Sequence, residues 1–279
     1  TTTGASILPN VEVLSHGLLF WRSFTHWIGG MGVLVLMMAI LPPGEENSGR
    51  SIHIMRAEMP GPVVGKLVPR IRETAKILYL IYIFMTFTQI VLLVMGGMPI
   101  FDSVLHAFGT AGTGGFGIKA DSIAGYNSYL QWVIAIFMLL FGINFNVYYL
   151  ILVKNFRSAL RSTELWCYLG IVFVSSVLIT TNILPMCGGF GEALRHAVFQ
   201  VSSIITTTGY ATADFNLWPQ LSKGVLFLLM IIGACAGSTG GGMKVSRVVI
   251  LLKASWAELL RALHPRIVYS LKMGGQVTF

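Results

Sequence analysis

The chain has 279 residues, of which 54% are hydrophobic and 11% are charged, and its mean hydropathy is +0.74. Soluble domains carry roughly 25% charged residues, so this composition excludes an ordinary soluble domain and predicts an integral membrane protein. The three cysteines, at positions 167, 187 and 235, have no CxxC spacing, so they predict neither a disulfide framework nor a metal site.

Five apolar segments are long enough to cross a bilayer as helices. They lie at roughly 17–42, 77–97, 129–153, 165–185 and from 220 to beyond 250. Two less apolar segments between them, 99–117 and 190–214, are too short and too polar to span. We expect these two to be re-entrant, because irregular backbone at membrane depth must be buried in protein or line water. The predicted fold class is therefore an all-α polytopic membrane protein.

The basic residues indicate which side of the membrane each connection occupies. Fifteen of the 19 Lys and Arg residues lie in the connection 44–76, the connection 154–163 and the segment from 244 onwards. These segments share one side if each re-entrant segment returns to the side from which it entered, and the positive-inside rule makes that side the cytoplasm. The opposite side carries the acids Glu12, Asp102, Asp121, Glu192 and Asp214. Topology thus explains the net charge of +8, and no nucleic-acid partner is expected.

A Thr-Gly pair recurs along the chain at separations of 110 and 95 residues, as Thr3-Gly4, Thr113-Gly114 and Thr208-Gly209. The second and third pairs each follow a predicted helix that is too short to span the membrane. The order of membrane helix, short re-entrant helix, Thr-Gly turn and second membrane helix therefore repeats. Rings of backbone carbonyls can replace the water shell of a permeating cation, and glycine admits the backbone angles that turn carbonyls inward. The pattern favours a potassium-type filter with one strand from each repeat.

Other interpretations of these residues remain. Thr and Gly also allow helices to pack closely in membranes, and inverted repeats would indicate an alternating-access carrier, although the repeats here share one orientation. His106 and His196 near Ser202, Ser203 and Ser238 would be the candidates for an intramembrane enzyme, but no GxSxG elbow accompanies them. Arg22 and His26, in the first span, are costly there; Arg22 is expected to snorkel or to tie a filter strand. We predict that the protein is not an enzyme.

The glycine-rich segment "GACAGSTGGGMK" interrupts the last apolar span. Residues 233–242 contain five glycines, and each costs about 1 kcal/mol in a helix, so we expect a break at membrane depth, on the cytoplasmic side of the filter. The segment does not fit the phosphate-binding pattern, because Met243 separates Gly242 from Lys244. A passive kink is the alternative to a functional loop. Lys244 would form a positive barrier at the inner mouth or snorkel to lipid phosphates.

These motifs resemble the Trk/Ktr/HKT superfamily of cation transporters, most closely its TrkH-type potassium uptake subunits. The resemblance is carried in order by "TTTGAS", "HWIGGMGVLVL", "TGGFG", "FGINF", "TTTGYATADF" and "ACAGSTGGGMK". It implies that four repeats surround a pseudo-fourfold pore and that the chain is a portion of the full protein. Gly4, where sodium-passing members carry serine, indicates the potassium version.

The resemblance also implies a division of the chain. Residues 1–43 would end the first repeat, 44–76 and 155–163 would be cytoplasmic connections, 77–154 and 164–264 would be the second and third repeats, and 265–279 would start the fourth. The expected K⁺ filter residues are Thr2, Thr3, Gly4, Ala5, Gly112, Thr113, Gly114, Gly115, Thr207, Thr208, Gly209 and Tyr210. The expected gating loop, 233–242, contributes Gly233, Ala234, Gly237, Ser238, Thr239, Gly240, Gly241 and Gly242, with Lys244 beyond it.

The remaining expectations also come from the resemblance. They are a multi-pass protein of the bacterial plasma (inner) membrane, in contact with lipid, that forms a homodimer and is regulated by a cytosolic TrkA-like nucleotide-binding ring. K⁺ would be the transported ion and no cofactor is expected in this chain. Whether passage is channel-like or a symport coupled to H⁺ or Na⁺ stays open.

Overall fold

The computed structural model describes residues 2, 4, 10–32, 71–263, 272–273 and 276–277, and side chains within 2, 4, 10–32 and 75–260. Several predicted features lie outside the described residues: the filter residues Thr3 and Ala5, most of the connection 44–76, and most of the segment 265–279. The helices, numbered in chain order, are α1 (His16–Gly30), α2 (Ile71–Met95), α3 (Ile100–Ala111), α4 (Ser128–Phe141), α5 (Phe145–Leu152), α6 (Phe156–Leu160), α7 (Thr163–Ile183), α8 (Phe190–Ile205), α9 (Gln220–Ile231) and α10 (Val245–Leu263). Two short strands, β1 (Lys272–Met273) and β2 (Gln276–Val277), pair antiparallel.

Two helices among the described residues are long and apolar enough to cross a membrane. They cover Ala75–Met95 and Thr163–Met186, and they coincide with the spans expected at 77–97 and 165–185. Their outward faces suit lipid: on α2, Leu80, Phe84 and Phe87 are 64%, 70% and 64% exposed, and their spacing places them on one side of the helix. The chain is thus helical, with helices suited to insertion in a membrane.

The segment 129–153, expected to be one continuous span, forms two helices instead. Helix α4 ends at Phe141, α5 begins at Phe145, and the axis bends by 87° between them. The bend has a local cause, because Gly142 ends α4 and the side chain of Asn144 accepts a hydrogen bond from the Asn146 amide at the start of α5, 2.9 Å away. The sequence did not predict this bend, but the two helices together are still long and apolar enough to form one broken span.

The helices α3 and α8, in the segments expected to be re-entrant, are short. They contain 12 and 16 residues, and at 1.5 Å per residue they reach about 18 and 24 Å, less than the roughly 30 Å hydrocarbon core. Helix α3 packs against α1, α2 and α4, and α8 packs against α7, α4 and α9. Both C-termini are buried, and each leads directly into a Thr-Gly segment.

The two largest apolar clusters of the described residues hold most of these helices together. The first is centred on the fully buried rings of Tyr82, Phe141 and Phe145, contributed by α2, α4 and α5. The Tyr82 hydroxyl donates to the Trp27 carbonyl at 2.8 Å, which ties α2 to α1. The second cluster joins α7, α8 and α9 around Tyr168, whose hydroxyl donates to the Leu139 carbonyl at the end of α4 at 3.2 Å.

Candidate functional site

The turn after α3 closes the helix with residues in left-handed backbone conformations. The amide of Thr113 donates to the Thr110 carbonyl at 3.0 Å, and that of Gly114 donates to the Gly109 carbonyl at 2.9 Å. Thr113 has a φ of +48° and Gly115 a φ of +71°. The chain leaves the helix in a tight reversal that would strain most side chains.

The turn after α8 repeats this pattern. The amide of Thr207 donates to the Ile204 carbonyl at 3.0 Å, that of Thr208 donates to the Ser203 carbonyl at 2.9 Å, and φ is +58° at Thr207 and +88° at Gly209. Position by position, Thr207 therefore corresponds to Thr113 and Gly209 to Gly115. The spacing of Thr-Gly pairs in the sequence matched Gly209 with Gly114, which is one residue too early, because the end of each helix sets the register of its turn.

Three of the predicted filter segments lie against one another. A Cβ atom on Gly4, where φ is +67°, would meet the Gly114 carbonyl oxygen at 2.5 Å, and a Cβ atom on Gly115 would collide with the carbonyl oxygen of Thr208. Gly4 thus faces the carbonyl of the residue before Gly115, and Gly115 faces the carbonyl of the residue before Gly209. Both of these following glycines have left-handed backbone angles. Only glycine permits both the backbone angle and the close approach.

Aromatic side chains support the turn after α3 from α1. The His26 ring stacks on the Phe116 ring, with centroids 3.9 Å apart, and occupies the space where Gly114 would carry a Cβ atom. The Arg22 guanidinium lies 4.2 Å from the centroid of the same Phe116 ring. Of the two roles expected for Arg22, this contact corresponds to tying a filter strand.

Tyr210 links the two turns. Its hydroxyl lies 3.3 Å from the Phe116 carbonyl, to which it donates, and it fills the space beside Gly109. Its own carbonyl accepts the hydroxyl of Ser203 at 2.5 Å. The Tyr210 side chain thus bonds the third segment to the backbone of the second. The sequence had predicted Tyr210 only as a filter residue.

The histidines and serines considered for an enzyme are used for structure. The hydroxyls of Ser202, Ser203 and Ser238 all donate to backbone carbonyls, at 2.5–2.6 Å. His196 Nδ1 lies 2.9 Å from the Thr212 hydroxyl. The His106 ring lies 3.3 Å from the Tyr126 hydroxyl, which donates to Asp102 at 3.1 Å. Burial and the Asp102 charge raise the pKa of Tyr126 far above its ordinary value, so its hydroxyl keeps the proton that it donates.

The glycine-rich segment 233–242 lies between α9, which ends at Ile231, and α10, which begins at Val245. Its two ends are joined: the Gly233 amide donates to the Met243 carbonyl at 2.8 Å, and the Val245 amide donates to the Ala234 carbonyl at 3.2 Å. The break therefore forms a closed loop, residues 232–244, which returns close to where it left the helix. We call these residues the intramembrane loop, after the depth in the membrane that the sequence predicts for them.

The bend between α4 and α5 receives this loop. The Cys235 amide donates to the Gly142 carbonyl at 3.1 Å, and the Phe145 amide donates to the Gly237 carbonyl at 2.9 Å. The Thr239 hydroxyl donates to the Phe141 carbonyl at 3.2 Å. The backbone groups freed by the bend are thus satisfied by the loop.

The intramembrane loop also contacts both turns directly. The Thr113 hydroxyl donates to the Thr239 carbonyl at 2.8 Å, and the Gly241 amide donates to the Thr207 hydroxyl at 2.7 Å. Lys244 donates from its ammonium to the Gly240 carbonyl, so its charge is directed at the loop itself. The sequence did not predict the contacts of Thr113 and Thr207 with the loop, because they join residues 126 and 34 positions apart.

Comparison with known proteins gives consistent matches. A family model described as "Cation transport protein", TrkH, matches residues 1–187 and 189–278. The chain is 39% identical over 282 aligned positions to the Trk system potassium uptake protein TrkH of Salmonella typhimurium, covering 99% of this chain and 58% of that protein. It is 35% identical to the Trk system potassium uptake protein TrkG of Escherichia coli, covering 99% of this chain and 57% of that protein. Its structure resembles the crystal structure of the potassium transporter TrkH from Vibrio parahaemolyticus, with a TM-score of 0.83 and 33% identity, covering 98% of this chain and 56% of that one. The chain thus spans somewhat more than half the length of these relatives.

Proposed function

The chain belongs to the TrkH family of cation transport proteins, and on that premise we propose that it forms part of a path by which K⁺ crosses a bacterial plasma membrane. The observation that carries the proposal is the close approach of three glycine-bearing segments: Gly4 against Gly114, and Gly115 against Thr208. The relatives that are 39% and 35% identical to this chain are named as potassium uptake proteins, not as enzymes.

Carbonyls of the three segments would be the ligands. In this proposal K⁺ sheds water among the backbone oxygens around Gly4, Gly114 and Gly115, and around Thr208 and Gly209, together with a fourth segment outside this chain. The matching turns after α3 and α8 support the arrangement, because equal hydrogen-bond patterns at two helix ends present equivalent carbonyls. The buried C-termini of these two helices would add the negative ends of their dipoles.

The intramembrane loop would be the gate. It is hydrogen-bonded to both turns through Thr113 and Thr207, and along the chain it leads into the basic segment that begins at Lys244. A passive kink would need no such contacts. The loop is not a regular helix, so it can change shape without breaking a helical hydrogen-bond pattern. Opening would then require the loss of only a small set of hydrogen bonds, such as those to Thr113 and Thr207.

The expected assembly extends the same proposal. We take the complete protein to be a multi-pass homodimer in the inner membrane, regulated by a cytosolic TrkA-like nucleotide-binding ring, with the basic connections 44–76 and 154–163 as docking surfaces. Light scattering of the purified protein tests the dimer, and nucleotide-dependent ⁸⁶Rb⁺ flux with and without the ring tests the regulation. Flux that ignores the ring at every nucleotide concentration would contradict the regulatory part.

The filter is tested by ⁸⁶Rb⁺ uptake into liposomes that contain the full-length protein, with and without competing Na⁺. Gly209 and Gly97 both have a φ of +88°, so replacement by serine imposes the same backbone strain at each, but Gly97 lies between α2 and α3, away from the three segments. We expect Gly209→Ser to lose the preference for Rb⁺ over Na⁺ and Gly97→Ser to keep it. An unchanged preference in Gly209→Ser would exclude the filter role, and no uptake by the wild type would contradict transport.

A further inference from the structure

Glu164 reaches from the start of α7 to the intramembrane loop. Its carboxylate accepts a hydrogen bond from the Ala236 amide at 2.7 Å, across 72 positions of sequence. Ala236 is 1% exposed and Glu164 is half-buried. The contact therefore joins a charged side chain, near the segment expected to be cytoplasmic, to the buried turn of the loop.

This bond differs in kind from the bonds that join the loop to the bend and to the turn after α8. The loop contacts at Gly142, Phe141 and Thr207 use neutral backbone groups and hydroxyls. A hydrogen bond to an ionised acceptor is roughly twice as strong as a neutral one. Glu164 also lies on α7, which begins at Thr163, the last residue of the connection 155–163, so a displacement of that connection moves its side chain.

Holding the start of α7 in place is an alternative role for an acidic residue in the first turn of a helix. In this structure a different residue performs that role: the hydroxyl of Ser162 accepts the Leu165 amide at 3.4 Å and caps α7. The Glu164 carboxylate instead bonds to a residue outside its own helix. Ser162 thus caps α7, and Glu164 contacts the loop.

We propose that Glu164 is a positioning residue for the gate: its carboxylate holds the intramembrane loop at Ala236 against the two turns, and a movement of the start of α7 releases it. This inference rests on the proposed role of the loop as the gate. It makes the connection 155–163 the mechanical input, because that connection leads into α7 and carries Arg157 and Arg161, which suit an acidic partner surface.

The first test measures ⁸⁶Rb⁺ flux through the full-length protein without any regulatory partner. Glu164→Ala should raise this basal flux about tenfold or more, because loss of a hydrogen bond to a charged group corresponds to a change of roughly 10- to 150-fold, while the preference for Rb⁺ over Na⁺ stays unchanged. Glu164→Gln keeps an oxygen that can accept the Ala236 amide but loses the charge, so its basal flux should lie between those of the wild type and Glu164→Ala. Ser162→Ala weakens the cap but keeps the Glu164 carboxylate, so it should raise basal flux less than Glu164→Ala does.

A second measurement does not depend on transport. Cys235 is 1% exposed and precedes Ala236 in the loop, so its reaction with N-ethylmaleimide reports whether the loop opens. With Cys167 and Cys187 replaced by serine, Glu164→Ala should speed the labelling of Cys235 about tenfold or more, and Ser162→Ala should speed it less. Glu164→Asp, which keeps the charge but shortens the side chain by one methylene, should also speed it, and it carries the test if Glu164→Ala does not assemble.

The outcomes separate the two proposals. Absence of Rb⁺ flux in the wild type contradicts the proposed function, and the labelling rates then decide the role of Glu164 alone. Equal labelling in Glu164→Ala, Glu164→Asp and the wild type overturns the role of Glu164, whatever the flux. A changed ion preference at unchanged basal flux would overturn it too, since the residue would then act on the filter.

Discussion

Gly114 and Gly115 are adjacent, yet they meet different obstacles, and this difference predicts which of them can be replaced. A Cβ atom on Gly114 would collide with the imidazole of His26, whereas a Cβ atom on Gly115 would collide with the carbonyl of Thr208. A side chain can be removed by mutation and a backbone carbonyl cannot. We therefore expect His26→Ala to rescue Gly114→Ala and to leave Gly115→Ala unrescued.

The magnitudes follow from the two environments. Overpacking beside His26 should cost Gly114→Ala about 1–3 kcal/mol of stability. Gly115 has a φ of +71°, so alanine there bears about 1–2 kcal/mol of left-handed backbone strain as well as its collision. Without the His26 ring, the first cost should fall below about 0.5 kcal/mol, while the strain at Gly115 remains. At 1.4 kcal/mol per factor of ten, the strain alone separates the two double variants by roughly 5- to 30-fold.

The assay uses the full-length protein and compares each double variant with His26→Ala alone. The thermal midpoint in detergent reports stability, and ⁸⁶Rb⁺ uptake against competing Na⁺ reports the filter. Gly117→Ala is the control, because the nearest atom to its added Cβ lies at 3.6 Å, an ordinary contact, so it should resemble the wild type. If Gly115→Ala is as stable and selective as His26→Ala in that background, or if Gly114→Ala stays impaired, the steric argument is wrong.

Two further changes test the contacts around the site. Thr207→Val removes the hydroxyl that accepts the Gly241 amide. Loss of a hydrogen bond of roughly 0.5–1.5 kcal/mol should raise basal Rb⁺ flux about 2- to 12-fold. Thr207→Ser keeps the hydroxyl and should behave as the wild type, so equal flux in the two variants would contradict this prediction. Gln131, 3% exposed, donates to the carbonyls of Ile123, Ala124 and Tyr126 at 3.1–3.3 Å. Gln131→Leu should therefore lower the thermal midpoint, at a cost of about 1–3 kcal/mol, and speed hydrogen exchange in residues 118–127 more than in 232–244; unchanged exchange in 118–127 would refute the role.

Composition and periodicity were enough to predict the main helices. The expected spans 77–97 and 165–185 correspond to α2 (Ile71–Met95) and α7 (Thr163–Ile183), since a long apolar run has few alternatives in a membrane. The glycine-rich segment also lies between two helices, as its composition predicted, because the cost of five glycines is local and additive along the chain.

The bend at Gly142 and the register of the turns could not be predicted in the same way. One glycine and Asn144 within an apolar run are weak local signals, and the bend depends on hydrogen-bond partners near Gly237, almost 100 positions away. The register failed for a related reason. The repeated Thr-Gly dipeptide paired Gly114 with Gly209 in the sequence. In the structure Gly115 is equivalent to Gly209, because the ends of α3 and α8 set the backbone pattern of the two turns.

The interruptions between α4 and α5 and between α9 and α10 account for each other. A helix end leaves carbonyls and amides without intrahelical partners, and at membrane depth water is not available to bind them. Here the Gly142 carbonyl accepts the Cys235 amide and the Phe145 amide donates to the Gly237 carbonyl, so each break supplies what the other lacks. Movement of the loop would strip partners from the bend as well. The bent helix is therefore expected to move with the loop, and the gate that we propose would consist of both breaks rather than of the glycines alone.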